Sequence, residues 1–272
     1  MASNSNIQGK LYLVGLGPGG SSNLTHAAVA ALHDCDAVVG YRMYIDQAAE
    51  LVEGKELVAM ELGQEMERAT KAVEMAYSGR VVAVVSSGDA GIYGMSGPVF
   101  QVLTDLGWDG ENPEVETVPG VSAMQAAAAL LGAPLMQDFC AISLSDLLTP
   151  WDAIRRRLEA AAQGDFVVAL YNPRSRGRQW QILEARKIML QHRSGQTPVG
   201  IVRDAFRPGQ MVTITDLEHL EEHAEAIDMV TTVLVGNSTT YLHQGHMATP
   251  RGYEGKTVSQ PQDRFHGPPG PP

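Results

Sequence analysis

The sequence predicts an α/β protein made of two successive α/β sets. Three observations predict it. Short β-branched runs alternate with helical-period runs over most of the 272 residues, and such alternation favours α/β layers over a bundle or an all-β architecture. Glycine-rich turns follow several of the strand-like runs. Gly132–Asp138, with Pro134 inside it, interrupts the rhythm once, and the alternation then begins again.

In order, Lys10–Val14 reads as a short apolar strand ending at a glycine turn, and Thr25–His33 as a helix with Thr25 as its N-cap. Ala37–Val39 is a second buried strand. Glu65–Tyr77 is an amphipathic helix closed by Gly79, and Val81–Ser86 a β-branched strand. Ser96–Leu106 reads as a helix, Glu114–Val118 as a strand and Val121–Leu131 as an Ala-rich helix. These place a first domain at 9–131. Beyond the link, Phe139–Leu144, Phe166–Tyr171, Val199–Arg203, Met211–Ile214 and Val230–Val235 read as strands, with helices at Trp151–Ala162 and Gln179–Gln191. They place a second domain at 139–247. From about Thr249 the pattern stops, and Gly267–Pro272 has almost nothing apolar to bury, so 248–272 reads as a disordered tail.

Composition removes several classes of function. A formal net charge of -11 argues against a general nucleic-acid binder, which needs a basic surface. No apolar run approaches the ~18 residues of a membrane span. Residues 1–8 lack a basic region followed by an apolar stretch, so no secretory signal is expected. Together these favour a cytoplasmic protein with no nucleic-acid or membrane partner. Cys35 and Cys140 are the only cysteines. Two isolated thiols make no zinc or iron–sulfur site, and both are expected to be buried packing residues. No bound metal is expected; His243 and His246 read as surface polar residues.

Gly15, Gly17 and Gly20 match G-x-G-x-x-G after a strand, which raises a dinucleotide-binding reading. Two features count against it. Pro18, Ser21, Ser22 and Asn23 delay the helix, whereas a dinucleotide turn starts its helix within the glycines. The strand Ala37–Val39 runs into Gly40-Tyr41-Arg42, where an acid for the ribose would stand.

Read with two further loops, this one takes on a different meaning. Ser87-Gly88-Asp89-Ala90-Gly91-Ile92-Tyr93-Gly94 follows one strand, and Val118-Pro119-Gly120-Val121-Ser122-Ala123 follows another. With Val14–Gly19 and Leu24-Thr25, in this order, they resemble the tetrapyrrole methylase family from about Lys10 to His246. Asp138–Trp151 and Ala169-Leu170-Tyr171-Asn172-Pro173-Arg174-Ser175-Arg176 resemble the branch acting at C17 of precorrin-3B or cobalt-factor III. The resemblance implies two α/β domains with S-adenosylmethionine in the cleft between them, and a homodimer. It implies methylation of a tetrapyrrole polycarboxylate at C17, with ring contraction by excision of C20, in cobalamin biosynthesis. S-adenosylhomocysteine would be the other product. Ala90 departs from the family, where many members carry Pro after Gly-Asp.

On the same resemblance, Pro18, Gly88, Asp89, Ala90, Tyr93, Ser122, Ala123 and Asn172 are assigned to the cofactor. Asp89 has the alternative of capping a turn. Arg174 and Arg176, with Arg178 beside them, leave the C-terminal end of a strand, where crevices of open α/β sheets lie. With Arg203 they are candidates to bind substrate carboxylates. Ring contraction needs a proton moved at the C20 hydroxyl, and Asp89, Tyr93 and Asp146, with Ser143 and Ser145, are the candidates. Rival readings are a tetrapyrrole methylase acting at another carbon, a protein methylase, an NAD(P)-dependent oxidoreductase and a tetrapyrrole carrier.

Overall fold

In a computed structural model, residues 8–253 are described. The first half alternates strictly: β1 (Lys10–Gly15), α1 (His26–Asp34), β2 (Ala37–Tyr41), α2 (Arg42–Gln47), β3 (Glu56–Met60), α3 (Glu65–Tyr77), β4 (Val81–Ser86), α4 (Ser96–Asp105), β5 (Glu114–Val118) and α5 (Ala123–Leu131). Its five strands form one parallel sheet in the order β3-β2-β4-β1-β5. Alternation along β1 puts Leu11 and Leu13 under α3 and α4, and Tyr12 and Val14 under α1 and α2. Leu11 and Leu13 are fully buried, worth about 1.5–3 kcal/mol each.

The second half runs β6 (Gly132–Ala133), β7 (Phe139–Ser143), α6 (Trp151–Gln163), β8 (Val167–Tyr171), α7 (Gln181–Leu190), β9 (Pro198–Arg203), β10 (Met211–Asp216), a 3-10 turn at Leu220–Ala226, β11 (Thr231–Val235), β12 (Tyr241–His243) and β13 (His246–Ala248). Its main sheet has the order β10-β9-β11-β8-β7. Only β7 and β8 pair in parallel; β11 runs antiparallel to β8 and β9, and β10 antiparallel to β9. α6, α7 and the 3-10 turn cover one face. The other face is covered by α5, whose Met124, Ala127, Ala128 and Leu131 pack on Ala169, Val202 and Leu234. At Gly200 a Cβ would strike the Leu131 side chain, so the helix lies directly on the strand. The last helix of the 9–131 segment thus serves the second sheet.

The expected strands and helices are all present, with shifts of a residue or two at their ends. α2, β3, the 3-10 turn at Leu220–Ala226 and the strands β6, β12 and β13 carry no clear signal in the sequence. The segment read as a link contains β6, which pairs with β13 and so closes a three-stranded sheet β12-β13-β6. Of the expected tail, Ala248 belongs to β13, and Thr249 is buried and hydrogen-bonded to Thr240 at 2.8 Å. The rest of that expectation falls on 254–272, outside the described residues. Cys35 is buried as expected, whereas Cys140 is only half-buried, its strand lying at the edge of the sheet.

Candidate functional site

Three loops leave the C-terminal ends of β1, β4 and β5 and meet through their backbones. Gly17 and Gly88 exchange N–H···O bonds of 2.9 and 2.8 Å. A Cβ on Gly15 would lie 2.7 Å from both Gly120 N and the Gly88 carbonyl, and one on Gly120 would be driven into that same carbonyl. Gly88 also has φ 67°, a left-handed conformation suited to glycine. Asp89 fastens the junction: Oδ1 accepts from Gly91 N–H at 2.8 Å and Oδ2 from Gly120 N–H at 3.0 Å. The turn-capping role is therefore present. After Gly20 a 3-10 turn at Ser21–Asn23 intervenes before α1, whose N-cap Thr25 accepts from Ala28 N–H at 3.1 Å. No helix starts within the glycines, the geometry a dinucleotide turn requires.

The junction forms one wall of a cleft between the two sheets. The lining includes Pro18, Gly88, Asp89, Tyr93, Ser122, Ala123 and Asn172. Ala90 is fully buried in the core of the first sheet and does not line the cleft. Ser122 opens α5 with a capping box shared with Gln125, which satisfies the Ser122 and Gln125 N–H groups inside the helix start.

Two tyrosines stitch the walls together. Tyr93, from the first half, has φ 54°; its hydroxyl donates to the Ala141 carbonyl and accepts from Ser143 N–H, each at 3.1 Å, on β7. Tyr171, at the end of β8, reciprocates by accepting from Met124 N–H of α5 at 3.0 Å. Their rings meet at 5.0 Å. Burial pushes both phenols above the usual tyrosine value, opposed by the N–H each accepts, so both remain protonated at neutral pH.

On the opposite wall, Asn172 adopts φ 49°. Its amide donates to Ser143 Oγ at 3.0 Å, and its carbonyl accepts from Arg178 Nε at 3.0 Å. Arg178 is buried. Burial lowers its pKa, with Asp146 nearby opposing that shift. Asp146 accepts from Gln181 Nε2 at 2.9 Å and is not in the lining.

The candidate arginines separate. Arg174 donates to the Ala224 carbonyl and to Glu225, both at 2.8 Å. Arg203 pairs with Asp228 at 2.9 Å and Asp204 at 2.7 Å, and hydrogen bonding to Asp228 raises its pKa. Arg176 is exposed, its side chain without a partner among the described residues. Arg207, which sequence reasoning passed over, does line the cleft, and so do Tyr171, Thr231 and Thr232. A signal for Arg207 exists in the sequence: it precedes the turn-forming Pro208-Gly209 in the loop after β9. Tyr171 adjoins Asn172 on the same strand end.

A glycine cradle allows close backbone approach, and Ser122 and Ala123 at the start of α5 line the cleft beside it. The sequence profile of the family described as tetrapyrrole (corrin/porphyrin) methylases matches residues 10–221. The chain belongs to the tetrapyrrole methylase family. The chain is 47% identical over 256 residues to a Priestia megaterium protein named cobalt-factor III methyltransferase, covering 93% of the chain and 47% of that relative. It is 45% identical over 243 residues to a probable cobalt-factor III C(17)-methyltransferase of Salmonella typhimurium, covering 89% of the chain and 99% of that relative. The chain thus spans about half the length of the first and almost all of the second. Among solved structures, the methyltransferase CobJ superposes with a TM-score of 0.81 at 38% identity, covering 89% of this chain and 98% of CobJ. Tetrapyrrole methylases use S-adenosylmethionine. Among the described residues, no helix is long and apolar enough to cross a membrane and no His/Cys/Asp/Glu group is arranged to hold a metal.

Proposed function

We propose that this chain transfers a methyl group from S-adenosylmethionine to C17 of a trimethylated tetrapyrrole and contracts the ring in the same reaction, in cobalamin biosynthesis. The substrate is cobalt-factor III in preference to metal-free precorrin-3B, because the relatives at 45–47% identity carry the cobalt name. The observation that carries the reading is the meeting of three glycine loops and the α5 N-terminus in one cleft between two sheets.

Bound S-adenosylmethionine supplies a methyl already activated by its sulfonium; the protein's task is alignment, which contributes up to about 7–11 kcal/mol in favourable cases. Gly88, Ser122 and Ala123 hold the cofactor through backbone groups. Pro18, Tyr93 and Asn172 bound it, and Asp89 fixes the loop that carries Ala90. For the proton moved during ring contraction, Asp89 and Tyr93 are the candidate pair lining the cleft: a carboxylate to accept, and a phenol, released from the Ala141 carbonyl, to donate. Asp146 acts at one remove, beside Arg178. Arg176, exposed and with no internal partner among the described residues, meets a substrate carboxylate, whereas Arg174 and Arg203 are held by their internal partners. A cytoplasmic homodimer is the assembly in which we place it.

Incubating the pure chain with S-adenosylmethionine and each tetrapyrrole separately, followed by mass and absorbance, tests this. The expected product carries a fourth methyl and a contracted-ring spectrum, with cobalt-factor III consumed faster. Methylation without contraction moves the chain to another branch. No methyl gain from either substrate overturns the reading.

A further inference from the structure

The charges around the cleft are unevenly settled. Asp89 has both oxygens occupied by backbone N–H groups, and Asp204 pairs with Arg203 at 2.7 Å. Among the described residues, Arg207 is the one cation lining the cleft, and no carboxylate pairs with it. Its partners are neutral and come from the first half: Nη2 donates to Gln47 Oε1 at 2.9 Å and to Ser87 Oγ at 2.6 Å. Nε is buried without a partner. Nη1 makes no hydrogen bond among the described residues, yet it is not sealed from solvent.

The side chain is also held in place. A Cβ on Gly19 would strike the Arg207 stem, so the loop after β1 lies flush against it. The segment that carries Arg207 bends through Asp204 and Phe206 at φ 48° and 58°, conformations uncommon for residues other than glycine. A guanidinium offers five donors in a planar fork that matches a carboxylate. Here two neutral acceptors share one nitrogen, which leaves the other terminal nitrogen for an anion.

We propose that Arg207 receives a ligand carboxylate in the cleft and thereby sets the orientation in which that ligand enters. The proposal rests on the reading above, in which the cleft takes S-adenosylmethionine and a tetrapyrrole polycarboxylate. Both carry carboxylates, so the chemistry is shared and the experiment separates the sources. An entering carboxylate takes Nη1 and, by displacing Ser87 or Gln47, Nη2 as well, a bidentate pair replacing two neutral hydrogen bonds.

The test is calorimetric titration of the full chain and of Arg207→Gln, Arg207→Lys, Ser87→Ala and Gln47→Ala, with S-adenosylhomocysteine and with cobalt-factor III as probes. Arg207→Gln is expected to weaken one probe about 10- to 100-fold, the effect of losing a charge-assisted hydrogen bond, with Arg207→Lys in between. The methyl ester of that probe should bind wild type and Arg207→Gln alike. Loss of S-adenosylhomocysteine supports the proposal with the amino-acid end of the cofactor as the source; loss of cobalt-factor III supports it with the substrate as the source. If neither moves by more than about twofold, the proposal is overturned. It is equally overturned if Ser87→Ala and Gln47→Ala weaken binding as much as Arg207→Gln, because the arginine is then a clasp between the halves. A wild-type chain that binds neither probe overturns this proposal and the assigned function together; retained wild-type binding with an unaffected Arg207→Gln removes this proposal alone.

Discussion

The glycine loops of the first half and the arginine segments of the second face each other across one cleft, yet they are built on opposite principles. The glycine loops converge by backbone contact: Gly15, Gly88 and Gly120 touch where no side chain fits, and Asp89 ties them with two hydrogen bonds. The arginine segments spend their side chains inward. Arg178 holds the Asn172 carbonyl, Arg174 binds the Ala224 carbonyl and Glu225, and Arg203 is matched by two aspartates. A close backbone approach tolerates no substitution, whereas a guanidinium can be redirected by any acceptor within its reach. One wall is therefore fixed by exclusion and the other by pairing.

The largest expected effect lies in the glycine wall. Gly15→Ala should cost about 3 kcal/mol or more by chemical denaturation, at the upper end of overpacking, because the clashing atoms are backbone. Gly177→Ala, in the arginine loop with nothing near its Cβ position, should stay within about 0.5 kcal/mol. Equal losses at the two would erase the contrast. Next is Arg178→Met, which leaves the Asn172 carbonyl unpaired and should cost about 2 kcal/mol while weakening S-adenosylhomocysteine binding.

Tyr93→Phe and Tyr171→Phe, which cut the reciprocal stitches, should each cost about 1 kcal/mol. With their rings in contact, the double variant should depart from additivity. Burial raises both phenols, so their contribution is complete below the unfolded tyrosine value of about 10 and is lost as pH rises beyond it. Stability measured from pH 8 to 11 should fall less steeply in either variant than in wild type. Among the side-chain partners, the smallest effect is expected for Arg174→Ala, whose exposed Glu225 partner makes the pair worth less than about 1 kcal/mol. Tetrapyrrole binding should be unchanged; a tenfold loss would return that residue to the cleft.

The same contrast explains what was legible in the sequence. Glycine spacing after a strand is local information, so the three loops and the Ser122 cap can be placed from residue order alone. Strands β4, β5, β8 and β11 announce themselves by β-branched residues, and β1 by an apolar run before a glycine turn. α2 and β3 do not: Arg42–Gln47 is a short helix, and Glu56–Met60 is an edge strand with no fully buried residue. The fate of each arginine depends on partners far along the chain. Asp228 stands 25 residues from Arg203 and Glu225 stands 51 from Arg174, while Arg207 depends on Gln47 in the other half. No spacing rule reaches that far, so charge in the loops is visible in the sequence while its direction is not.

α5 belongs to both walls at once. Its body is the floor beneath β8, β9 and β11, and its first turn presents Ser122 and Ala123 to the cleft. Nine helical residues make a stiff rod of about 13 Å, seated at Gly200 without slack. Displacement of the second sheet is therefore transmitted along that rod to the ligand's backbone contacts. Ligand occupancy should register as slowed amide exchange in β9 and β11 beyond Val202, Thr231 and Thr232, the residues by which those strands line the cleft.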